Sequence, residues 1–162
     1  MEYTLDQKFK ALCQITRAAH FEWRATFMKM FPDMDPKEVV LKYWEIVGHD
    51  TAKAYLKQID KTKPLLSQIA QLIVDSSLAM GENARVIAGE TEHEIYFEHL
   101  ECPWFEWHQK HDALAEDQPG CDCWIATILK DINKALGTNI EFETLSSLPN
   151  GDGSCKRVLR GE

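Results

Sequence analysis

The stretch from His99 to Trp124, HLECPWFEWHQKHDALAEDQPGCDCW, gathers most of the chemically reactive side chains of this protein. It carries three of the five cysteines, three of the six histidines and three of the five tryptophans in about a sixth of the chain. The residues before and after it have the patterns of ordinary helices and strands. We therefore expect any catalytic or ligand-binding site to lie in this stretch.

The chain length of 162 residues is that of one domain, because domains most often hold roughly 100–150 residues. The hydrophobic fraction of 44% and the charged fraction of 27% are typical of a globular protein. We predict a single domain over residues 1–162. Its helical half spans residues 1–82, and its α+β half, residues 85–160, carries the candidate site.

The formal net charge of −8 argues against nucleic acid and against anionic membrane surfaces as partners, because both attract clustered Lys and Arg. No apolar run reaches the roughly 20 residues that cross a bilayer, and the amino terminus, MEYTLDQKFK, lacks the basic-then-apolar order of a secretion signal. We therefore predict a cytoplasmic protein whose five cysteines are reduced, since disulfides are rare in that compartment.

Three helices are predicted in the first half of the chain. The first ends at Phe31–Pro32. The second begins at Asp35–Pro36, where Asp caps the helix and Pro occupies its first position, and we expect a kink near Gly48. The third begins at Lys63–Pro64 and ends at Met80–Gly81, since glycine is common just past the end of a helix.

The first predicted helix is apolar on more than one side. Ile15, Phe27 and Met28 lie off its main apolar seam. Such a helix is a candidate surface for a homodimer formed through the N-terminal helices. The alternative is that the helix lies deep in the core of its own chain. The seam, whose members follow one another at spacings of three and four, consists of Phe9, Leu12, Thr16, Ala19, Trp23, Thr26 and Met30.

The second half changes from a helical to a strand-like period. Alternating runs at Arg85–Ala88 and His93–Leu100 predict one hairpin, and runs at Asn139–Thr144 and Cys155–Leu159 predict another. Between them, Trp124–Leu136 repeats its apolar residues at helical spacing. The predicted fold class is α+β, with three N-terminal helices packed against an antiparallel sheet of two hairpins and one or two further helices.

A thiol and two imidazoles stand close together around Pro103, which marks the start of a predicted helix. Cys102 precedes this helix, and free backbone N–H groups at a helix start can push a thiol toward thiolate. His108 and His111 share a predicted face of the helix with Trp104 and Trp107. The set has the ingredients of nucleophilic catalysis, in which sulfur attacks and histidine carries protons. The alternative is that Cys102 and the tryptophans are core residues.

A bound transition metal is a second hypothesis for the same stretch. Cys121 and Cys123 are expected at the head of the last helix, after a turn forced by Pro119–Gly120. Their C-x-C spacing is less specific than the C-x-x-C of zinc ribbons, and Cys121 also fits a buried helix face. Thiolate and imidazole ligands suit zinc or another transition metal. The candidate metal ligands are Cys102, His108, Cys121, Cys123 and Cys155.

From about Glu90 to Leu159, the chain resembles the L-2-amino-thiazoline-4-carboxylate hydrolase family and, more distantly, small-molecule-binding domains similar to bacteriochlorophyll 4-vinyl reductase. The matching features are the strand that runs into Cys102–Pro103, the helix with two histidines, the cysteine pair before an amphipathic helix, and the turn Gly151–Cys155. The resemblance implies an α+β fold and hydrolytic opening of a cyclic thiazoline in which a cysteine is important.

Three hypotheses for function follow from these features. The first is a hydrolase-like enzyme for a small cyclic or sulfur-containing molecule, with Cys102 as nucleophile or metal ligand, His108 or His111 as proton carrier, and a substrate pocket lined by tryptophans. The second is a noncatalytic sensor or carrier domain that binds a metal or a small ligand. The third is a structural interaction module, which predicts no pocket near Cys102. The pocket tryptophans of the first hypothesis are Trp104, Trp107 and Trp124.

Overall fold

The structure is a computed structural model that describes residues 2–161. These residues form five α-helices, four antiparallel β-strands and one short 3₁₀ turn. The predicted α+β fold class is confirmed, with three N-terminal helices, two hairpins and two further helices between the hairpins. The elements are α1 (Leu5–Met30), α2 (Pro36–Leu56), α3 (Leu65–Ala79), β1 (Asn83–Ala88), β2 (Glu94–Glu101), α4 (Pro103–Lys110), α5 (Leu114–Leu136), β3 (Glu141–Ser146), the 3₁₀ turn (Leu148–Asn150) and β4 (Cys155–Arg160).

Local capping residues set the bounds of the N-terminal helices. Thr4 and Gln7 form a reciprocal capping box at the start of α1, with Thr4 Oγ1 accepting from Gln7 N at 3.2 Å. Asp35 Oδ1 accepts a hydrogen bond from Lys37 N at 2.9 Å, and Pro36 is the first residue of α2. Gly81 follows the end of α3 with a φ of +77°, a conformation that glycine adopts at low cost.

The second helix runs without interruption through Gly48, where the sequence predicted a kink. Gly48 is buried and packs against α5. A Cβ atom added at this glycine would lie 2.7 Å from Thr127 Cβ and 3.0 Å from the carbonyl oxygen of Trp124. The glycine therefore lets α2 and α5 approach closely, and this contact outweighs its weak helix propensity.

The predicted turn at Pro119–Gly120 is wrong, because α5 begins at Leu114 and passes through both residues. Two carboxylates, Glu116 and Asp117, lie in the first turn of α5, where the helix dipole favours negative charge. Gly120 gives room to the indole of Trp44, whose Cδ1 would lie 2.8 Å from an added Cβ. Tertiary contacts thus offset the hydrogen bond that a proline removes from a helix.

The four strands form one sheet in the order β1-β2-β4-β3. Along β2, Ile95, Phe97 and His99 are buried and alternate with more exposed residues. His99 pairs with Ala84 on one side and with Cys155 on the other. The sheet therefore places an imidazole and a thiol side by side at the end of β2 from which α4 begins.

The hydrophobic core draws on both halves of the chain. Residues of α2, α3 and α5 pack with the inner face of the sheet, and the fully buried members include Ile69, Ile73, Phe97, Ile125 and Ile128. Within residues 2–161, no helix is both long enough and apolar enough to cross a membrane.

The first helix contributes nothing to this core cluster. Its buried residues, Cys13, Arg17, His20 and Phe21, form one narrow face. Much of the predicted apolar seam is exposed, and the alternative that α1 lies deep in its own core is therefore wrong. The exposed fractions are 41% for Phe9, 62% for Leu12, 42% for Trp23 and 68% for Met30.

Candidate functional site

A cavity of about 430 Å³ lies between α2, α3, α4 and α5, beside one end of the two central strands, β2 and β4. Its volume falls within the roughly 300–1,000 Å³ of typical ligand pockets. Cys102 is among the residues that line it. The hypothesis of a structural module without a pocket near Cys102 is therefore wrong.

Aromatic rings form much of the cavity wall. Trp44 lies against Trp104 edge to face, with the ring centroids 5.8 Å apart, and against Tyr43 at 5.2 Å. The indole N–H of Trp124 donates to Thr51 Oγ1 at 3.1 Å. These contacts hold the rings in place, so the wall presents apolar surface of fixed form.

Six of the residues singled out from the sequence line the cavity. They bring together two indoles, one imidazole and three thiols from α4, α5, β4 and the segment before α4. The six are Cys102, Trp104, His108, Cys121, Trp124 and Cys155. The other three, His111, Trp107 and Cys123, lie elsewhere.

Trp107 and His111 pack on α1 and away from the cavity. Phe21 stacks on His111 with a centroid distance of 4.5 Å, and Trp107 stacks on the same imidazole at 5.5 Å. Neighbouring helix positions differ by about 100°, so Trp107 and His108 face different directions on α4. His111 is the residue that caps the C-terminal end of the helix. The four side chains predicted to share one face of α4 therefore do not point the same way. Trp104 and His108 line the cavity, whereas Trp107 and His111 contact α1.

The cavity thiols are held in their protonated form. Burial raises the pKa of Cys102 well above its usual range, and the carboxylate of Glu82 acts in the same direction. Burial likewise raises the pKa of Cys121 to about 12. Loss of water therefore outweighs the helix-start effect that the sequence suggested. Cys102 is a neutral thiol at neutral pH.

The candidate metal ligands do not form a metal centre in the described part of the chain. Within residues 2–161, no three His, Cys, Asp or Glu side chains are grouped closely enough to hold a metal ion. The thiol of Cys123 donates to the carbonyl oxygen of Leu41 at 3.4 Å, and Cys155 Sγ accepts from Leu148 N at 3.2 Å. Thiols also bind metals as thiolates, which burial disfavours here.

A buried polar cluster of Ser77, Glu82 and His99 forms another part of the wall. Ser77 Oγ lies 2.8 Å from His99 Nε2, and Glu82 Oε2 lies 3.3 Å from the same nitrogen. A Ser-His-carboxylate relay needs its two partners on opposite ring nitrogens. The cluster therefore does not have the geometry of a catalytic triad. Strand alternation, which puts His99 on the same face as Ile95, was the sequence signal for its burial.

A buried arginine also lines the cavity. Arg157 is 1% exposed, and its Nε and Nη2 lie 3.0 and 2.9 Å from Asp122 Oδ1. Asp122 Oδ1 also accepts from Thr144 Oγ1 at 2.9 Å. The central residue of the C-x-C sequence thus pairs with Arg157, a function that its spacing did not indicate.

His108 and Asp117 bring unpartnered polar atoms to the cavity wall. His108 Nδ1 donates to the carbonyl oxygen of Trp104 at 2.8 Å and lies 3.2 Å from Asp117 Oδ2. His108 Nε2 and Asp117 Oδ2 are buried and have no hydrogen-bond partner in the protein. A buried polar atom without a partner is costly, by about 1–3 kcal/mol.

The buried histidines make stability depend on pH. Burial lowers the pKa of His20 and of His99 to about 4, from an ordinary value of 6.5. Between these pH values the unfolded chain binds protons that the folded chain does not, so stability falls as the pH falls below 6.5. Burial raises the pKa of Glu82 to about 7, which has the opposite effect between pH 4.5 and 7. The stability lost through the two imidazoles exceeds the stability gained through the one carboxyl group.

We expect the free energy of unfolding, measured by urea titration, to fall between pH 6.5 and 4.5. Each buried imidazole contributes on the order of 2 kcal/mol to this loss at pH 4.5. The variant His20→Phe should lose less stability over this range than the wild type, whereas His93→Phe, at an exposed position, should not differ from it. Stability that stays level or rises toward pH 4.5 would contradict this account.

Comparison with known proteins finds no family model and no curated protein that matches this chain. Solved structures of similar fold include trafficking protein particle complex subunit 3 from Naegleria fowleri, covalently bound to palmitic acid. It has a TM-score of 0.56 and 13% identity, and the match covers 94% of this chain and 96% of that one. Another is the phenol-responsive sensory domain of the transcription activator PoxR, with phenol. It has a TM-score of 0.53 and 12% identity, and the match covers 90% of this chain and 74% of the PoxR chain. At these identities, the likeness shows a shared α+β fold.

Proposed function

We propose that this protein is a noncatalytic domain that binds a small, mainly apolar molecule, as a sensor or a carrier does. The observation that carries the proposal is the cavity of about 430 Å³ walled by Tyr43, Trp44, Trp104 and Trp124. Its size and aromatic wall suit a ring-containing or short aliphatic molecule. The two proteins of similar fold are described with palmitic acid and with phenol, both of which are mainly apolar.

The hydrolase hypothesis has less support than the binding hypothesis. Nucleophilic attack by Cys102 needs a thiolate, and burial favours the thiol. His108 remains a candidate proton carrier, but its Nδ1 donates to a backbone carbonyl. These features make the cavity better suited to holding a molecule than to cleaving one.

Indene, a compact apolar bicyclic hydrocarbon, is a suitable first probe of the cavity. We expect it to bind at one site with a Kd of about 1 mM or tighter, which corresponds to about −4 kcal/mol. Isothermal titration calorimetry measures the affinity and the stoichiometry. Quenching of tryptophan fluorescence upon binding would place the probe near the indoles of the wall. The absence of saturable binding by indene and by its analogues would contradict the proposed function.

We further propose that residues 1–162 act as one domain and that two copies associate through α1. Leu5, Leu12 and Ile15 are 85%, 62% and 63% exposed. The mass of the chain is 18.6 kDa, and a folded monomer of that mass typically has an accessible surface of roughly 8,200 Å². The accessible surface of this protein is larger, at 9783 Å². A specific interface buries about 800 Å² on each partner, so the excess is large enough to supply one.

Sedimentation equilibrium tests this association. We expect the wild type to have the mass of a dimer at micromolar concentration, because exposed apolar side chains on a helix favour association. Leu12→Glu should shift the equilibrium toward the monomer by at least about tenfold in Kd, which is 1.4 kcal/mol. Gln14→Glu adds the same charge on α1 without removing an apolar side chain and should have a smaller effect. A wild type that stays monomeric would exclude this interface.

A further inference from the structure

At one end of the cavity, His108 and Asp117 each have one buried polar atom that forms no hydrogen bond within the protein. His108 is 4% exposed and Asp117 is 9% exposed. Both residues line the cavity, and His108 Nε2 and Asp117 Oδ2 have no partner in the protein. Buried polar atoms in folded proteins nearly always have a partner, which is protein, water or ligand.

The hydrogen bonds of His108 determine what kind of partner is missing. The carbonyl oxygen of Trp104 only accepts, so the proton of a neutral His108 ring is on Nδ1. Nε2 of that ring is therefore a hydrogen-bond acceptor, as is the carboxylate oxygen of Asp117. Nδ1 lies 3.2 Å from Asp117 Oδ2, so the two side chains form a single patch. With a neutral His108 ring, this patch presents acceptors and needs a donor.

Several other polar groups of the cavity wall have partners within the protein, although Nδ1 of the buried His99 has none. Trp124 donates to Thr51, Arg157 donates to Asp122, and Ser77 is bonded to His99. A ligand that enters the cavity therefore meets apolar rings over most of its surface and acceptors at the patch of His108 and Asp117. Such a site distinguishes molecules by the presence of one donor group.

We propose that His108 and Asp117 determine ligand specificity by accepting a hydrogen bond from an N–H or O–H group carried on an apolar ring. This inference rests on the proposed function and names the class of ligand for the same cavity. Loss of a donor from such a ligand leaves a buried acceptor unpaired, which is the source of discrimination.

Three probes of nearly identical shape distinguish the contribution of the donor group to affinity from that of the ring. Indole carries an N–H donor, benzofuran has an oxygen acceptor in its place, and indene has neither. We expect calorimetry to show that indole binds at least about tenfold more tightly than indene, which is 1.4 kcal/mol. Benzofuran should bind no more tightly than indene. Equal affinity for all three would overturn this inference and leave the proposed function intact, whereas no binding of any would contradict the proposed function itself.

Variants of His108 and Asp117 test whether these two residues cause the preference for indole over indene. In His108→Phe, the ratio of indole to indene affinity should fall toward one. In His111→Phe, which changes an imidazole outside the cavity, the ratio should stay as in the wild type. Asp117→Asn offers an amide donor and should lower the ratio while raising the relative affinity for benzofuran, and it tests the patch if His108→Phe does not fold. Folded His108→Phe and Asp117→Asn proteins that keep the wild-type ratio would overturn the assignment.

Discussion

The variant Cys121→Phe is expected to bind indene at least about 100-fold more weakly than the wild type, a loss of about 2.7 kcal/mol. Cys121 lies on α5 and lines the cavity beside Trp124. A phenyl ring at this position fills space that the ligand would occupy. Overpacking also costs about 1–3 kcal/mol of stability, so circular dichroism and thermal unfolding should accompany the titration.

Two control variants show whether weaker binding comes from the filled cavity volume or from the loss of the thiol. Cys121→Ala removes the thiol and keeps the space, so it should retain indene binding. Ala126→Phe adds the same ring on the exposed side of α5 and should also retain binding. If Cys121→Ala lost binding as fully as Cys121→Phe, the thiol would have a direct function, contrary to the binding hypothesis.

The largest expected loss of stability follows from replacing the buried arginine. Arg157→Met should lower the free energy of unfolding by about 3 kcal/mol, because removal of one partner from a buried ion pair leaves the other unpaired. The value is at the low end of the usual range, since the side chain of Asp122 is 28% exposed and keeps its bond from Thr144. Urea titration measures the change through the unfolding midpoint at constant m-value.

Arg160 provides a matched control on the same strand. Its side chain is 50% exposed and pairs with Glu143 at the surface. Surface ion pairs contribute little, so Arg160→Met should change stability by no more than about 0.5 kcal/mol. Equal losses in the two variants would mean that Arg157 is not an interior partner of Asp122.

The helices and strands could be predicted wherever local signals set them. Thr4, Asp35 and Gly81 mark helix ends through hydrogen bonds and backbone conformations that involve only nearby residues. The start of α5 could not be predicted in this way. Gly120 and Pro119 are typical of turns, but here the indole of Trp44 from a distant helix occupies the space that a side chain would fill.

The candidate site could be predicted only in part, for a related reason. The cluster of thiols, imidazoles and indoles from Cys102 to Trp124 identified the right region, and five of its residues line the cavity. Ser77 on α3, Glu82 just before β1 and Arg157 on β4 lie outside that stretch and meet it only through tertiary packing. Burial, which decides the protonation of Cys102, is likewise a property of the whole fold.

A crystal structure of the protein grown with indole shows whether the cavity binds a ring that carries a hydrogen-bond donor. We expect electron density for the bicyclic ring between Trp44, Trp104 and Trp124, with its nitrogen within hydrogen-bond distance of His108 Nε2 or Asp117 Oδ2. A cavity closed by its own side chains, or indole found only on the outer surface, would refute the proposed site.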